Sequence, residues 1–228
     1  MKLGDRLQAL ADFVPTGSLV ADIGTDHGYL ALELVQSGKA GRVIASDKNS
    51  GPLEAAVRAV REAGLTEQVT LREGDGLAVL KPGEVDTVCI AGMGGILMTE
   101  ILEAQPEVVK SLKRLVLQPM NGAPELRRWL YRHYWHIVDE ALAVDDGRIY
   151  EIICAEKGRE KMPDGLSLLI GPKLWEKKPE LLRHHIEQLL FQSRSIAAGM
   201  EKSPRASKTK KYQAVQEQIR ELEERLTW

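Results

Sequence analysis

The chain has 228 residues, 31 Lys/Arg against 33 Asp/Glu for a formal net charge of −2, and 43% hydrophobic residues, which suits a globular protein with one large domain and a smaller one. No run approaches the roughly 18 uninterrupted apolar residues of a membrane span, and Met1-Lys2-Leu3-Gly4-Asp5-Arg6 lacks a secretory apolar run, so a cytoplasmic protein with no membrane partner is expected. Cys89 and Cys154 lie in apolar strand-like runs and read as reduced core thiols, and no Cys/His cluster has zinc-ligand spacing, so no metal is expected.

Leu3, Leu7, Leu10 and Phe13 recur at helical spacing before Pro15, giving a short amphipathic helix. Leu19–Ile23 reads as a buried strand, Tyr29–Gln36 as a helix ending near Gly38, and Arg42–Ser46 as a second strand. A helix from Pro52 to Ala63 stops at Gly64, and Val69–Arg72 and Val85–Ile90 are the third and fourth strands. Ile96–Val109 predicts a helix, Leu115–Leu117 a fifth strand and Pro124–Tyr134 another helix. Two final strands, His136–Val144 and Ile149–Ala155, flank a turn at Asp145-Asp146-Gly147. Strands alternating with helices imply a parallel sheet with right-handed crossovers, and the closing hairpin adds an antiparallel strand.

Past Lys157 the pattern changes. A link with Pro163, Gly165, Gly171 and Pro172 precedes two a/d seams, Leu182-Ile186-Leu189-Ser193-Ile196-Met200 and Tyr212-Val215-Ile219-Leu222-Leu226, separated by Ser203-Pro204. An antiparallel helical hairpin, a coiled coil, is expected over 158–228, after a first domain spanning 1–157. Residues 1–156 hold 16 basic and 23 acidic side chains, whereas 157–228 hold 15 and 10. That asymmetry suits a polyanionic partner, or simply a solvated lysine-rich face.

The chemistry-bearing runs fall at strand ends. In Asp22-Ile23-Gly24-Thr25-Asp26-His27-Gly28-Tyr29-Leu30, glycines at a strand-to-helix turn let a ligand approach the backbone at the sheet's carboxyl edge. The run is not G-x-G-x-x-G, which argues against a dinucleotide cradle. It resembles the methyltransferase pattern D-x-G-x-G-x-G, with Asp26 standing at the middle glycine. Asp47, 25 residues after Asp22, can accept both hydroxyls of a ribose or else cap the next helix. Asp75-Gly76 can meet an adenine amine or form an ordinary turn. Ala91-Gly92-Met93-Gly94-Gly95 leaves room and free amides beside a transferred methyl, or is a flexible turn that only starts the helix at Ile96. Gln118 and Asn121 put two amides at the same edge, able to read a base or to satisfy loop backbone.

Together with Asp145-Asp146-Gly147-Arg148-Ile149-Tyr150-Glu151 and Gln118-Pro119-Met120-Asn121, these runs resemble the bacterial tRNA (adenine(22)-N1)-methyltransferases over nearly the whole chain. The resemblance implies a class I methyltransferase, Rossmann-like seven-stranded α/β sheet with a C-terminal helical hairpin. It also implies S-adenosyl-L-methionine as cofactor, tRNA as partner and N1 of adenine 22 as the methyl acceptor. Asp22, Gly24, Thr25, Asp26, His27, Gly28, Asp47, Lys48, Asp75, Gly76, Ala91, Gly92 and Met93 are then the expected cofactor contacts, with Asp26 and Asn121 as catalytic candidates. Adenine N1 has its own lone pair, so no base is needed, and Asp26 would accept a hydrogen bond from N6 as positive charge develops; alternatively it only holds the cofactor's amino group. His27 in such a loop is either a second candidate base or a structural hydrogen-bonder. Lys202, Arg205, Lys208, Lys210 and Lys211 around the hairpin turn are expected to meet phosphates, and Arg127, Arg128 and Arg132, on the helix after Asn121, to flank the target. A monomer is the favoured state. The alternatives are methylation of another RNA position or a small molecule, a silent RNA- or protein-binding module and, more distantly, an oxidoreductase.

Overall fold

The structure, a computed structural model, describes residues 3–228. They fall into two compact units, one ending at Met162 and one spanning Pro163–Trp228. Five parallel strands open the first unit: β1 Ser18–Ile23, β2 Ala40–Asp47, β3 Val69–Glu73, β4 Thr87–Met93 and β5 Arg114–Pro119. They are followed by the hairpin of β6 Trp135–Asp145 and β7 Arg148–Lys157. The seven-stranded order is β3-β2-β1-β4-β5-β7-β6, with β7 antiparallel to both β5 and β6. Between β1 and β4 the strand order reverses, and open α/β sheets place their ligand crevice outside the carboxyl ends of the strands at such a point.

Burial explains the strand patterns. β1 and β4 are buried on successive residues rather than alternate ones, as expected for central parallel strands covered on both faces. Their side chains meet α1 Asp5–Asp12, α2 Tyr29–Gln36 and α3 Ser50–Glu62 through a core that includes Leu10, Leu30, Leu34, Val43, Cys89 and Cys154. Both cysteines are buried.

Three sequence expectations are revised. The single helix expected over Ile96–Val109 is two, α4 Gly95–Glu103 and α5 Pro106–Ser111. Pro106 has no N–H to continue the ladder, and it pushes Gln105 out of the helical region, to φ −132° and ψ 66°. The fourth strand does not stop at Ile90. It runs on to Met93 through a bulge at Gly92, whose φ is +77°. A short 3-10 helix, Gly76–Val79, follows β3 where no element was expected. The remaining first-unit helix is α6, Ala123–Arg132. Asp146 and Gly147, at φ +46° and +70°, make the tight two-residue turn between β6 and β7.

In the second unit the expected link holds α7 Gly165–Ile170, capped by Asp164 accepting from Ser167 N at 2.8 Å, and α8 Pro172–Lys177. The hairpin is α9 Leu182–Glu201 against α10 Lys210–Arg225. In α10 the apolar positions Ile219 and Leu222 are buried as the spacing predicts. In α9 the buried line runs Leu182, Ile186, Leu190, Ser193, Ala197, leaving Ile196 51% exposed. A straight helix of 3.6 residues per turn drifts off a strict 3.5 repeat, and this drift accounts for the departure from an a/d coiled-coil seam.

Candidate active site

At the carboxyl edge of the sheet lies a cleft of about 730 Å³. Its first wall is the turn after β1. Gly24 N and Thr25 N both donate to Ser46 O at 2.8 Å, tying the turn to β2. Gly24, His27 and Gly28 all adopt positive φ, +78°, +58° and +71°, which only glycine does without strain. At Gly28 there is a further reason: a Cβ would lie 3.2 Å from Ala56 Cβ of α3. At Gly24 a Cβ would collide with the Met93 methyl. Asp22 is 4% exposed, and its Oδ2 has no hydrogen-bond partner. Burial lifts its pKa to about 6, with Thr25 beside it pulling the other way and the charge of Asp47 adding to the rise.

The second wall comes from β2 and β3. Asp47 Oδ1 accepts the Asn49 N–H at 2.7 Å, so this carboxylate both shapes the start of α3 and lines the cleft beside Lys48. Gly74 N donates to Asp47 O at 3.1 Å. Asp75 lines the cleft and makes no side-chain bond to the 3-10 helix it precedes. The turn alternative for Asp75-Gly76 therefore leaves the carboxylate available.

The third wall is the bulged end of β4. Gly92 N donates to Gln118 Oε1 at 3.1 Å, Arg6 Nη1 donates to the same oxygen at 2.6 Å, and Gln118 Nε2 donates to Pro119 O at 3.0 Å. Gln118 is fully buried, with both ends of its amide occupied. It supports loop backbone, which settles that alternative against base reading. Asn121 is exposed and is not among the cleft's lining residues; its backbone O accepts from Gly95 N at 2.8 Å. A Cβ on Gly95 would lie 2.3 Å from Gly122 O, so only glycine permits this loop contact.

Of the residues the sequence singled out, Asp22, Gly24, Asp26, Asp47, Lys48, Asp75, Gly76, Ala91, Gly92 and Met93 converge on the cleft. Thr25, His27, Gly28 and Asn121 do not line it. Asp26 is at the rim, its side chain 81% exposed, with Oδ1 3.2 Å from His27 Nε2. His27 stacks on Tyr29 at 5.4 Å. Sequence reasoning missed Arg6 and Leu7 of α1, Leu97 and Ile101 of α4, and the roles of Asp145, Asp146 and Tyr150. Arg6 occupies a polar position of an amphipathic helix, and nothing in its spacing distinguishes it from a solvated charge.

One of the three arginines expected to flank the target cannot reach it. Arg127 is completely buried, donating from Nε to Glu140 Oε1 at 2.7 Å and from Nη2 to Glu151 Oε2 at 2.5 Å. Its neighbour Arg132 is exposed and Arg128 half-buried. In the second unit Lys202, Arg205, Lys208, Lys210 and Lys211 are all exposed around the turn between α9 and α10. Among the described residues, no group of three His, Cys, Asp or Glu is placed to hold a metal ion, and no helix is long and apolar enough to cross a membrane.

The donor set fits an adenosyl cofactor with an amino-acid end. It offers a buried carboxylate whose Oδ2 lacks a partner, two further aspartates at successive strand ends, and glycines where side chains would fill the cradle. The family profile described as "TrmK: tRNA (adenine(22)-N(1))-methyltransferase" matches residues 20–224. A Bacillus subtilis tRNA (adenine(22)-N(1))-methyltransferase is 41% identical over 201 residues, 86% of this chain and 84% of its own. A Streptococcus pneumoniae protein solved in complex with S-adenosyl-L-methionine superposes with a TM-score of 0.87 at 31% identity, covering 99% of this chain and 100% of its own. Mycoplasma capricolum TrmK, solved with S-adenosyl-homocysteine, superposes with a TM-score of 0.85 at 26% identity, covering 100% and 99%.

Proposed function

The chain belongs to the tRNA (adenine(22)-N(1))-methyltransferase family and transfers a methyl group from S-adenosylmethionine to N1 of adenine 22 in tRNA; we propose that the reaction takes place in the cleft at the carboxyl ends of β1, β2 and β4. The observation that carries this assignment is the buried Asp22 carboxylate, whose Oδ2 has no partner in the protein although Asp22 lines the cleft. A buried polar atom without a protein partner calls for one from outside, a ligand, an ion or ordered water.

Bound there, the cofactor supplies an electrophilic methyl group on a sulfonium. Asp22 receives the ammonium of its methionine end. Asp47, whose Oδ1 also accepts from Asn49 N, would hold the ribose hydroxyls, and Asp75 the adenine amine. Gly24, Ala91, Gly92 and Met93 would pack along the ligand, Lys48 and Gly76 would flank the adenosine, and Thr25, His27 and Gly28 hold the turn that positions Asp22.

Adenine N1 would attack the methyl carbon with its own lone pair as the methyl–sulfur bond breaks and the thioether S-adenosylhomocysteine leaves, so the protein aligns rather than deprotonates. The methylated ring is cationic. Asp26 accepts a hydrogen bond from N6 as this charge develops, and Asn121 contacts the RNA beside it. In water an exposed carboxylate stabilises a cation only weakly. Asp26 therefore acts once the docked RNA has displaced solvent from the rim. The basic turn of the second unit supplies phosphate contacts without sequence information, the chain works as a monomer, and the activity is cytoplasmic.

Transfer of labelled methyl to unmodified tRNA, followed by nucleoside mass spectrometry, tests the reading. The expected product is 1-methyladenosine, lost when adenine 22 is replaced. Methylation that survives the replacement, or no transfer at all, overturns it.

A further inference from the structure

The second unit gathers three cations around two indoles. Trp175 of α8 and Trp228 meet edge to face, 5.7 Å apart at 84°. The Arg225 guanidinium lies 4.3 Å from the centre of the Trp175 ring. Lys178 Nζ stands 5.0 Å from that centre and 4.5 Å from the centre of Trp228. Arg183 is 5.8 Å from the Trp228 ring and donates from Nη2 to Leu226 O at 3.2 Å and to Trp228 O at 3.3 Å. These residues come from the end of α8, the start of α9 and the end of α10, so the fold alone assembles the cluster.

Like charges brought together repel, and an exposed cation over a ring face gains only a little. Other cations of this unit have carboxylate partners: Arg194 with Glu223 at 2.6 Å, Lys173 with Glu176 at 2.9 Å, and Arg220 with Glu217. Lys178 and Arg225 are in no ion pair among the described residues. Asp164 interacts with the Arg225 charge, but its oxygens are taken by Ser167 N at 2.8 Å and Ser167 Oγ at 3.0 Å. Lys178 also ends α8 at φ +48°, a left-handed conformation that costs a lysine and not a glycine. A strained residue carrying an exposed, unpaired charge points to a use outside the fold.

We propose that Lys178, Arg183 and Arg225, seated on Trp175 and Trp228, bind phosphates of the tRNA backbone. This rests on tRNA being the substrate. The patch lies at one end of the helical hairpin and the basic turn at the other. Between them α9 has 20 residues, a length of about 30 Å. One phosphate contact leaves an RNA arm free to pivot, whereas two so far apart fix its direction. Backbone contacts supply this kind of orientation without reading sequence.

The test is the salt dependence of tRNA binding by the full chain carrying Lys178→Gln and Arg225→Gln together. Losing two phosphate contacts should lower the log–log slope by about 1.4–1.8 and weaken binding roughly tenfold or more at about 0.15 M salt. Arg194→Gln with Arg220→Gln removes equal charge from ion-paired positions and should change the slope by less than half as much. If the first double variant does not fold, Lys178→Gln alone is read by the same criterion, at half the slope change. Acrylamide quenching adds a readout that a purely structural cluster would not move. Trp228 is 42% exposed whereas Trp129 and Trp135 are buried, so tRNA should reduce quenching in the parent, and Trp228→Phe should abolish that reduction. An unaltered slope, an equal fall in the ion-paired control or undiminished quenching overturns the proposal. Binding of the parent to phosphatidylglycerol vesicles, lost in the double variant while the tRNA slope holds, overturns it in favour of a lipid surface. A parent that binds no tRNA overturns the functional reading itself, and this contact with it.

Discussion

Arg127 donates from Nε to Glu140 Oε1 at 2.7 Å with both side chains wholly shielded from solvent. A charge pair in such a place is stabilised by its partners rather than by water. Removing one partner strands the other in a medium that cannot solvate it. Arg127→Met is therefore expected to destabilise the fold by about 3–5 kcal/mol in a denaturant titration. Arg127→Met combined with Glu140→Leu should recover much of that loss. A double variant no more stable than the single one would contradict this account.

Asp22 shows the opposite balance. Burial, the main cause, raises its pKa to about 6 from 3.8, so the folded chain binds the proton more tightly than the unfolded one. The cost of ionising Asp22 is absent below the unfolded value, grows as pH rises towards 6, and is complete above it. Near-complete burial allows a conversion of the shift to about 3 kcal/mol. Without ligand, Asp22→Asn should be more stable than the parent at pH 7.5 by up to this amount, and no more stable at pH 3.5. S-adenosylhomocysteine affinity of the parent should fall below about pH 6, as the carboxylate that meets the ammonium is neutralised. In Asp22→Asn that pH dependence should flatten.

For Asp26 the prediction separates catalysis from binding. Asp26→Asn removes the charge but keeps the shape, and should lower kcat by about 100- to 1000-fold, the scale of one lost electrostatic stabiliser. S-adenosylhomocysteine affinity should stay within about twofold, a change of about 0.4 kcal/mol. A parallel collapse of affinity and turnover would make Asp26 a cofactor ligand.

Neutralising Lys202, Arg205, Lys208, Lys210 and Lys211 together is expected to weaken tRNA binding and flatten its salt dependence. Each lost phosphate contact should reduce the log–log slope by about 0.7–0.9. Methylation at saturating tRNA should be nearly unchanged, because these residues lie in a different unit from the cleft. An unaltered salt slope would identify the turn as a solvated face.

Asp22, Asp47 and Asp75 were legible as a set because each lies at or just past the carboxyl end of a strand whose apolar run is local and unambiguous. Parallel topology then forces successive strand ends to one edge of the sheet. The closing hairpin was equally plain, since Asp146-Gly147 is a turn dipeptide between two strand patterns. Periodicity also located both hairpin helices of the second unit, although the drift of a straight helix moved the buried line from Ile196 to Ala197.

Composition and spacing determined the alternation of strands and helices, the glycine turn after β1 and the acidic strand ends, all of which depend on near neighbours along the chain. Only the tertiary structure decided which charges are buried and which are free. Arg127 and Arg6 look alike in the sequence, each a cation on an amphipathic helix. One is neutralised by Glu140, 13 residues away, and the other is bonded to Gln118, 112 residues away, beside the cleft. Burial and ion pairing depend on what the fold brings alongside a residue, and local pattern carries no record of partners so distant in the chain.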